Sequence, residues 1–484
     1  MMPYDTYRLY QVERAKSPYE IRRTDRQAAL FSAAVSGLFR AIAQARSAVP
    51  RIRLPGLLRH APAPGRGPAM GRGGSRRRQT ARKPADLAGP RPPAGRAGQN
   101  PTEQTCMYRS IRPPVVSAGV EEEFHIVDLA TRQLTARAGE VMDQLPAGSF
   151  SAELQRSVLE ANSRPWTRLT DLAEDLAALR QAAITAARPL GLGVVAAGTV
   201  PLADPGTVQV TPDPRYEHIR DEYRMLAREQ LICGTQVHVD VDNRDLAIAV
   251  ARRVAPWLPA LLALSASSPY WRGTDTGYAS YRSLIWRRWP TAGALPGFAS
   301  AADYDRTVAD LVRSGVITDP GMIYFDVRPS AHLPTLELRI SDSCPRLEDV
   351  ILLAGLFRAL VIRETGAEYQ GRPPAPVRPG LLQAATWRAA RSGLEGDLVD
   401  PVTATAVPAG RLIGQLLAGL RPALESAGDW ELVAGLTRSA LAQGSSAARQ
   451  RAVRAGGGLR NVVDSLVAET RATPPWLRAA KLAA

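Results

Sequence analysis

The chain has 484 residues but only three cysteines, Cys106, Cys233 and Cys344. So few thiols exclude a disulfide-stapled scaffold, and their spacing fits no zinc site. A reducing, cytoplasmic setting is therefore expected. No apolar run reaches the roughly 18 residues that a membrane span needs. The nearest, Val254–Ala266, is interrupted by Pro256 and Pro259 and preceded by Arg252 and Arg253. The N-terminus lacks the charged, apolar and small-residue order of a signal peptide. Also missing are a Walker loop, a Gly-x-Gly-x-x-Gly stretch and a Gly-x-Ser-x-Gly elbow, which argues against P-loop, Rossmann and α/β-hydrolase chemistry.

Acidic residues are scarce at one end only. Residues 1–116 hold 22 Lys/Arg against 6 Asp/Glu, a net of +16, whereas 117–484 hold 39 against 40, a net of −1. The overall charge of +15 thus belongs to the N-terminal quarter. Gln27–Ala45 is weakly amphipathic, with basic flanks that suit a membrane surface or a partner helix. Residues 60–105 are Pro, Gly, Ala and Arg with too little apolar surface to offset ordering entropy, so an unfolded extension is expected. Three readings of it stay open: a nucleic-acid-binding arm, a solvated tail, or sequence upstream of a true start at Met107.

From Val115 the texture is that of a folded domain. Strands are expected at Val115–Val127, Gln155–Ala161, Gly193–Gly198, Leu231–Val241, Met322–Val327 and Thr335–Ile340. A helix is expected from Asp171 to Ala187 with Thr170 as its N-cap, and another over Tyr216–Gln230. Asn243 caps a long, proline-bent helix from Asp245 to about Ala266, and helices dominate after Leu347. Strands without a regular βαβ beat predict an α+β fold around a mainly antiparallel sheet.

Three strands carry polar residues on one face and aliphatics on the other. In Gly119-Val120-Glu121-Glu122-Glu123-Phe124, alternation puts Glu121 and Glu123 side by side and sends Val120 and Phe124 to the core. Paired carboxylates repel unless a cation neutralises them, and hard oxygen ligands suit Mg2+ or Mn2+. A solvent-facing run of glutamates is the alternative. Gln236, His238 and Asp240 share a face opposite Val237, Val239 and Val241. Glu337 and Arg339 share one opposite Leu336, Leu338 and Ile340, as a salt bridge or as a metal ligand beside a phosphate clamp. Asp326-Val327-Arg328 alternates in the same way. Arg282 and the cluster Trp286-Arg287-Arg288-Trp289-Pro290 add positive charge.

These segments, with Cys233-Gly234-Thr235-Gln236-Val237-His238-Val239, Asp275–Arg282, Arg288–Gly293, Asp326–Ser330, Leu336–Arg339, Trp387–Arg391, Leu398–Pro401 and Ala447–Arg451, resemble the carboxylate–amine ligases of the second glutamate–cysteine ligase family. The resemblance runs from about Ser117 to Ala472. It implies a sheet curled into a funnel with helices outside, similar to glutamine synthetase and guanidino kinases. It also implies an ATP-dependent ligase that forms an amide through an acyl phosphate, with ATP and Mg2+, or Mn2+, on the inner face. Glu121, Glu123, Glu160 and Glu337 match metal-binding carboxylates. Arg282 and Arg339 match arginines near the phosphoryl group and the substrate carboxylate, with His238 beside the nucleotide. The family has a histidine where this chain has Gln236, a neutral and weaker ligand, so weak activity is expected. The usual Pro-Val-Cys after the glutamate strand is altered to Ser163-Arg164-Pro165-Trp166.

The implied organisation is an extension over 1–116, a ligase domain over 117–472 and a tail over 473–484. Expected partners are small-molecule carboxylates and amines, amino acids above all. Nucleic acid is expected only through 1–116, and a homo-oligomer is left open. A non-catalytic ligand-binding member and a nucleic-acid-associated protein stay open as alternatives. No protein nucleophile is needed, which makes Cys233 and Cys344 structural.

Overall fold

The computed structural model describes residues 116–206 and 209–477. The basic extension, the amphipathic stretch Gln27–Ala45, Cys106, Met107 and the last seven residues lie outside the described residues. The strands are β1 (Ala118–Asp128), β2 (Phe150–Ala152), β3 (Val158–Asn162), β4 (Leu192–Val195), β5 (Thr235–Asp240), β6 (Tyr270–Trp271), β7 (Thr274–Asp275), β8 (Val327–Pro329), β9 (Thr335–Leu338), β10 (Asp397–Asp400) and β11 (Thr405–Pro408). Seven form one sheet in the order β2-β3-β1-β5-β9-β8, with β4 beside β1. Every pairing is antiparallel. Strand β1 is long enough for β5 to pair its first half and β4 its second. The α+β class expected from the sequence is what the chain adopts.

One face of this sheet is dry. Val120, Val237, Val239, Val327, Leu336 and Leu338 are buried in one cluster with Leu172 and Leu176 and with Val350–Val361. Those partners belong to helices Leu169–Ala187 and Leu347–Tyr369. Glu122 also points to this side, and it is fully buried against Arg180, whose Nη2 lies 2.6 Å from Oε1. Arg180 gives its remaining N–H groups to the carbonyls of Cys344 and Pro345, each at 2.7 Å. The pair is tolerated under the sheet because each charge is both neutralised and hydrogen-bonded.

Several boundaries differ from expectation. Helix Leu169–Ala187 starts before Thr170, and Arg168 at its N-cap position makes no side-chain cap. The expected Tyr216–Gln230 helix is two pieces, Pro214–Tyr223 and Met225–Arg228, broken at Arg224 with φ 52. The expected Met322–Val327 strand appears instead as β8 at Val327–Pro329, and the β10–β11 hairpin was not foreseen. Asn243 does cap its helix, accepting from Leu246 N–H at 3.0 Å. That helix, Arg244–Val254, continues through a 3-10 turn into Leu258–Ser265. Contrary to the sequence reading, Arg244–Ser265 has the length and hydropathy of a membrane-crossing helix. However, 72% of its most apolar window is buried within the molecule, so its side chains belong to the core.

Candidate active site

The opposite face of the same sheet is polar, and register brings its side chains together. Across β1 and β3, Glu123 faces Glu160, and Glu121 faces Asn162. Across β1 and β5, Glu121 faces Gln236. Across β5 and β9, His238 faces Glu337, and across β8 and β9, Glu337 faces Arg328. Directly opposed residues are close enough for their side chains to interact. One row of acids, amide, imidazole and guanidinium thus crosses five strands.

At the β9 end the carboxylates are compensated. Glu337 is 2% exposed. It accepts from Arg328 Nε at 2.8 Å and Nη2 at 3.3 Å, and from Arg339 Nη1. Burial alone would push its carboxyl up, but Arg328, Arg339 and His238 hold it well below the usual range. The Arg339 guanidinium is correspondingly raised: burial opposes its charge, and Glu337 more than offsets that. His238 Nε2 lies 3.3 Å from Glu121 Oε1, and its Nδ1 is in hydrogen-bond contact with the Thr335 hydroxyl at 2.9 Å. Burial opposes charge on both partners, yet their attraction lowers Glu121 and raises His238. One ligand atom each from Glu121, His238 and Glu337 lie within 4.8 Å of one another.

At the β3 end, among the described residues, Glu123, Glu153 and Glu160 form no ion pair, and Arg215 and Arg339 act on Glu153 and Glu123 only from a distance. Glu160 accepts from the Ser151 hydroxyl at 2.8 Å and from Asn162 Nδ2 at 3.2 Å. Burial, together with Glu121, Glu153 and Glu123, pushes it well above the usual range. Glu153, just past β2, is pushed up to about 7 by burial and Glu123. Glu123 accepts from Gly234 N–H at 2.6 Å and from the Gln236 amide at 2.9 Å. Gln236 Oε1 is buried without a hydrogen-bond partner among the described residues.

Arg282 enters from the short helix Arg282–Trp286 and is 2% exposed. It donates to the carbonyls of Ile340 at 3.3 Å and Arg339 at 3.4 Å. Position 234 must be glycine for this: a Cβ there would lie 2.3 Å from Arg282 Nη2. Asp342 stands 4.0 Å from Arg282 and is fixed by the hydroxyls of Ser268 and Ser280, each at 2.7 Å. Arg287 and Arg288 are committed elsewhere, to Asp326 at 2.8 Å and Glu229 at 2.5 Å. Cys233 and Cys344 are buried and free, and burial pushes both thiols up, so neither is a ready nucleophile.

Residues 117–465 match Glutamate-cysteine ligase family 2 (GCS2). The chain belongs to glutamate–cysteine ligase family 2. Two relatives carry the name "Putative glutamate--cysteine ligase 2-2". The one from Frankia casuarinae is 56% identical over 369 residues, covering 76% of this chain and 43% of that protein. The one from Mycolicibacterium smegmatis is 54% identical over 356 residues, covering 73% of this chain and 90% of that protein. The chain therefore spans less than half the length of the Frankia relative and nearly all of the mycobacterial one. Among solved structures, a glutamate–cysteine ligase from Francisella tularensis in complex with AMP aligns with a TM-score of 0.56 at 12% identity, over 75% of this chain and 91% of that one. A bifunctional glutathione synthetase from Pasteurella multocida aligns at 0.55 and 16% identity, over 74% of this chain and 52% of that one. At these identities the likeness is one of fold.

In this family-2 chain the polar face gathers Glu121, Glu123, Glu160, Glu337, Gln236, His238 and Arg339, with Arg282 adjoining through the Arg339 backbone. Sequence reasoning missed Glu153. It follows a three-residue strand, too short for alternation to register, and no motif marks it. It also missed Asp342, whose partners Ser268 and Ser280 come from more than sixty residues upstream.

Proposed function

We propose that this chain is an ATP-dependent carboxylate–amine ligase that joins glutamate to cysteine through an acyl phosphate, releasing ADP and phosphate. Family membership supports the ligase class. The observation that carries the reading is the row of buried and half-buried carboxyls with Arg339 at one end and Arg282 next to it.

The donor set fits a hard divalent cation. Glu121 and Glu337, with His238, would hold one ion, and Glu123, Glu160 and Glu153 a second. Gln236 Oε1, buried and unpartnered, has a lone pair to offer, and the raised Glu153 and Glu160 carboxyls would ionise readily only beside a cation. Bound Mg2+, or Mn2+, would neutralise triphosphate charge so that a carboxylate can approach it. The chain's own residues do the rest. Arg282 and Arg339 would receive the anionic groups, Arg339 by exchanging part of its hold on Glu337 for substrate. A carboxylate is a poor electrophile, and γ-phosphoryl transfer gives it a leaving group that an amine displaces. No covalent enzyme intermediate is required, which suits the buried thiols and the reducing cytoplasm expected for the chain. Gln236 in the place of a histidine makes this a weak ligase with a high Mg2+ requirement.

The test is ADP release with ATP, Mg2+, L-glutamate and L-cysteine, followed by a screen of other amino-acid pairs. Release that needs both an acid and an amine supports the ligase. Absence of Mg2+-dependent ADP release with every pair, while ATP or amino acids still bind, would favour the non-catalytic reading.

A further inference from the structure

Trp286 lies within cation–π range of two guanidinium groups. The Cζ atoms of Arg282 and Arg339 lie 5.5 Å and 5.6 Å from its ring centroid. Arg282 and Trp286 are four residues apart on one helical turn, which puts them on one face. Tyr324 packs 4.6 Å from the indole and lies 5.9 Å from Arg339 Cζ. Two guanidinium groups repel each other, and the electron-rich face of an indole is a surface both can approach. The contact thus fixes the spacing of the two arginines that the ligase reading assigns to anions.

These three side chains also share a deficit. Arg282 Nε, Arg339 Nε and Trp286 Nε1 are all buried and have no acceptor among the described residues. Buried donors are almost always paired, and leaving them unpaired is costly. Indole nitrogen can only donate. Three unpaired donors on side chains in mutual contact, two of them cationic, call for one kind of ligand, an oxyanion. Carboxylate and phosphoryl groups both offer it.

We infer that Trp286 is an anion-binding residue of this site: its N–H donates to a substrate carboxylate or phosphoryl oxygen beside Arg282 and Arg339, and its ring sets the distance between their guanidinium groups. The inference rests on the ligase reading only for the identity of the anion. Calorimetric titration of the full chain with inorganic phosphate and, separately, with L-glutamate tests it independently of turnover. Trp286→Phe keeps the ring and removes the N–H. It should weaken at least one probe by about tenfold or more with little change in unfolding temperature. Loss confined to phosphate assigns the N–H to the phosphoryl end, and loss confined to glutamate assigns it to the carboxylate end. Trp286→Leu removes ring and N–H and should weaken the same probe further. In ADP release, Trp286→Phe should raise KM for the affected substrate more than it lowers kcat. Wild-type affinity for both probes in Trp286→Phe would overturn the inference, as would failure of the wild-type chain to bind either probe. If the chain binds and loses anions as stated but releases no ADP, the ligase reading fails and this inference stands.

Discussion

The two ends of the polar face hold similar acids in opposite electrostatic states. At the β9 end, Glu337 sits between Arg328 and Arg339 and Glu121 beside His238, so charge is balanced inside the protein. At the β3 end, Glu123, Glu153 and Glu160 crowd together with Ser, Asn, Gln and backbone N–H donors rather than a paired arginine, and Arg215 and Arg339 act on Glu153 and Glu123 only from a distance; two of the three carboxyls are pushed up. The lesson is that the demand for an external cation is uneven. The β9 end can stand alone, whereas the β3 end either keeps protons or takes a metal. Glu122, one residue along the same strand, gives the reference case: turned to the dry side, it has its own arginine and needs nothing from outside.

The comparison breaks first on stability. Glu337→Gln leaves Arg328 and Arg339 buried without their carboxylate, and breaking such a pair costs about 3–5 kcal/mol. Glu160→Gln removes one of three crowded acids and should change stability by less than about 1 kcal/mol, in either direction. Denaturant unfolding of both variants without metal measures the contrast. Equal losses would mean that the two ends are not electrostatically different.

Activity is the next effect in size. Glu123→Gln removes charge from the metal-demanding end while keeping an amide for Gly234 N–H to meet, so the chain should stay folded. Mg2+-dependent ADP release should fall by about 100-fold. Wild-type turnover at limiting Mg2+ in both Glu123→Gln and Glu337→Gln would remove these residues from the metal site.

Alternation made the row itself legible: Glu121, Glu123, Gln236, His238, Glu337 and Arg339 announce a shared face because period 2 persists over five or more residues. What sequence could not give is which acids would be neutralised. That depends on register between strands distant in the chain, which pairs His238 with Glu337 and Glu123 with Glu160. Charge counting had made Arg287 and Arg288 candidates for the site, but their carboxylate partners Asp326 and Glu229 are distant in the chain and equally invisible. Helix ends failed locally. Thr170 looked like a cap because capping residues are common there, yet burial of Leu169 at 1% exposure pulls the first turn further upstream.

A smaller effect follows from protons. With its folded pKa raised to about 7, Glu153 holds a proton that the unfolded chain loses near the ordinary value of about 4.3. The stability this contributes is fully present below the unfolded value and is lost as pH rises through 7. Glu160, shifted the same way, adds to the loss. Glu337 behaves oppositely: its contribution is present above the ordinary range and lost only in strong acid. The metal-free chain should therefore lower its unfolding temperature between pH 5 and 7.5, and Mg2+ should restore it increasingly over that span. Glu153→Gln should flatten the slope. A metal-free profile without any slope there would show that the β3 end is already compensated.

Gln236 gives the smallest effect, because it stands where the two ends meet. Its amide nitrogen serves Glu123, and it faces Glu121 across the strand pair. Its oxygen, the atom that would meet a metal, is neutral. Imidazole at this position could still donate one N–H to Glu123 and offer its other nitrogen to the ion. Nitrogen ligands favour Mn2+ over the oxygen-preferring Mg2+. Gln236→His should therefore tighten Mn2+ more than Mg2+, with a gain below about tenfold. His238→Ala should act in the other direction, because it removes a ligand from the Glu121–Glu337 group even as it leaves Glu121 short of a positive partner. Metal titrations of ADP release, paired with calorimetry of each ion, read both changes. If neither substitution alters metal dependence, the β5 face lies outside the metal site, the cation belongs wholly to Glu123, Glu153 and Glu160, and the β9 end is an internally balanced anion clamp.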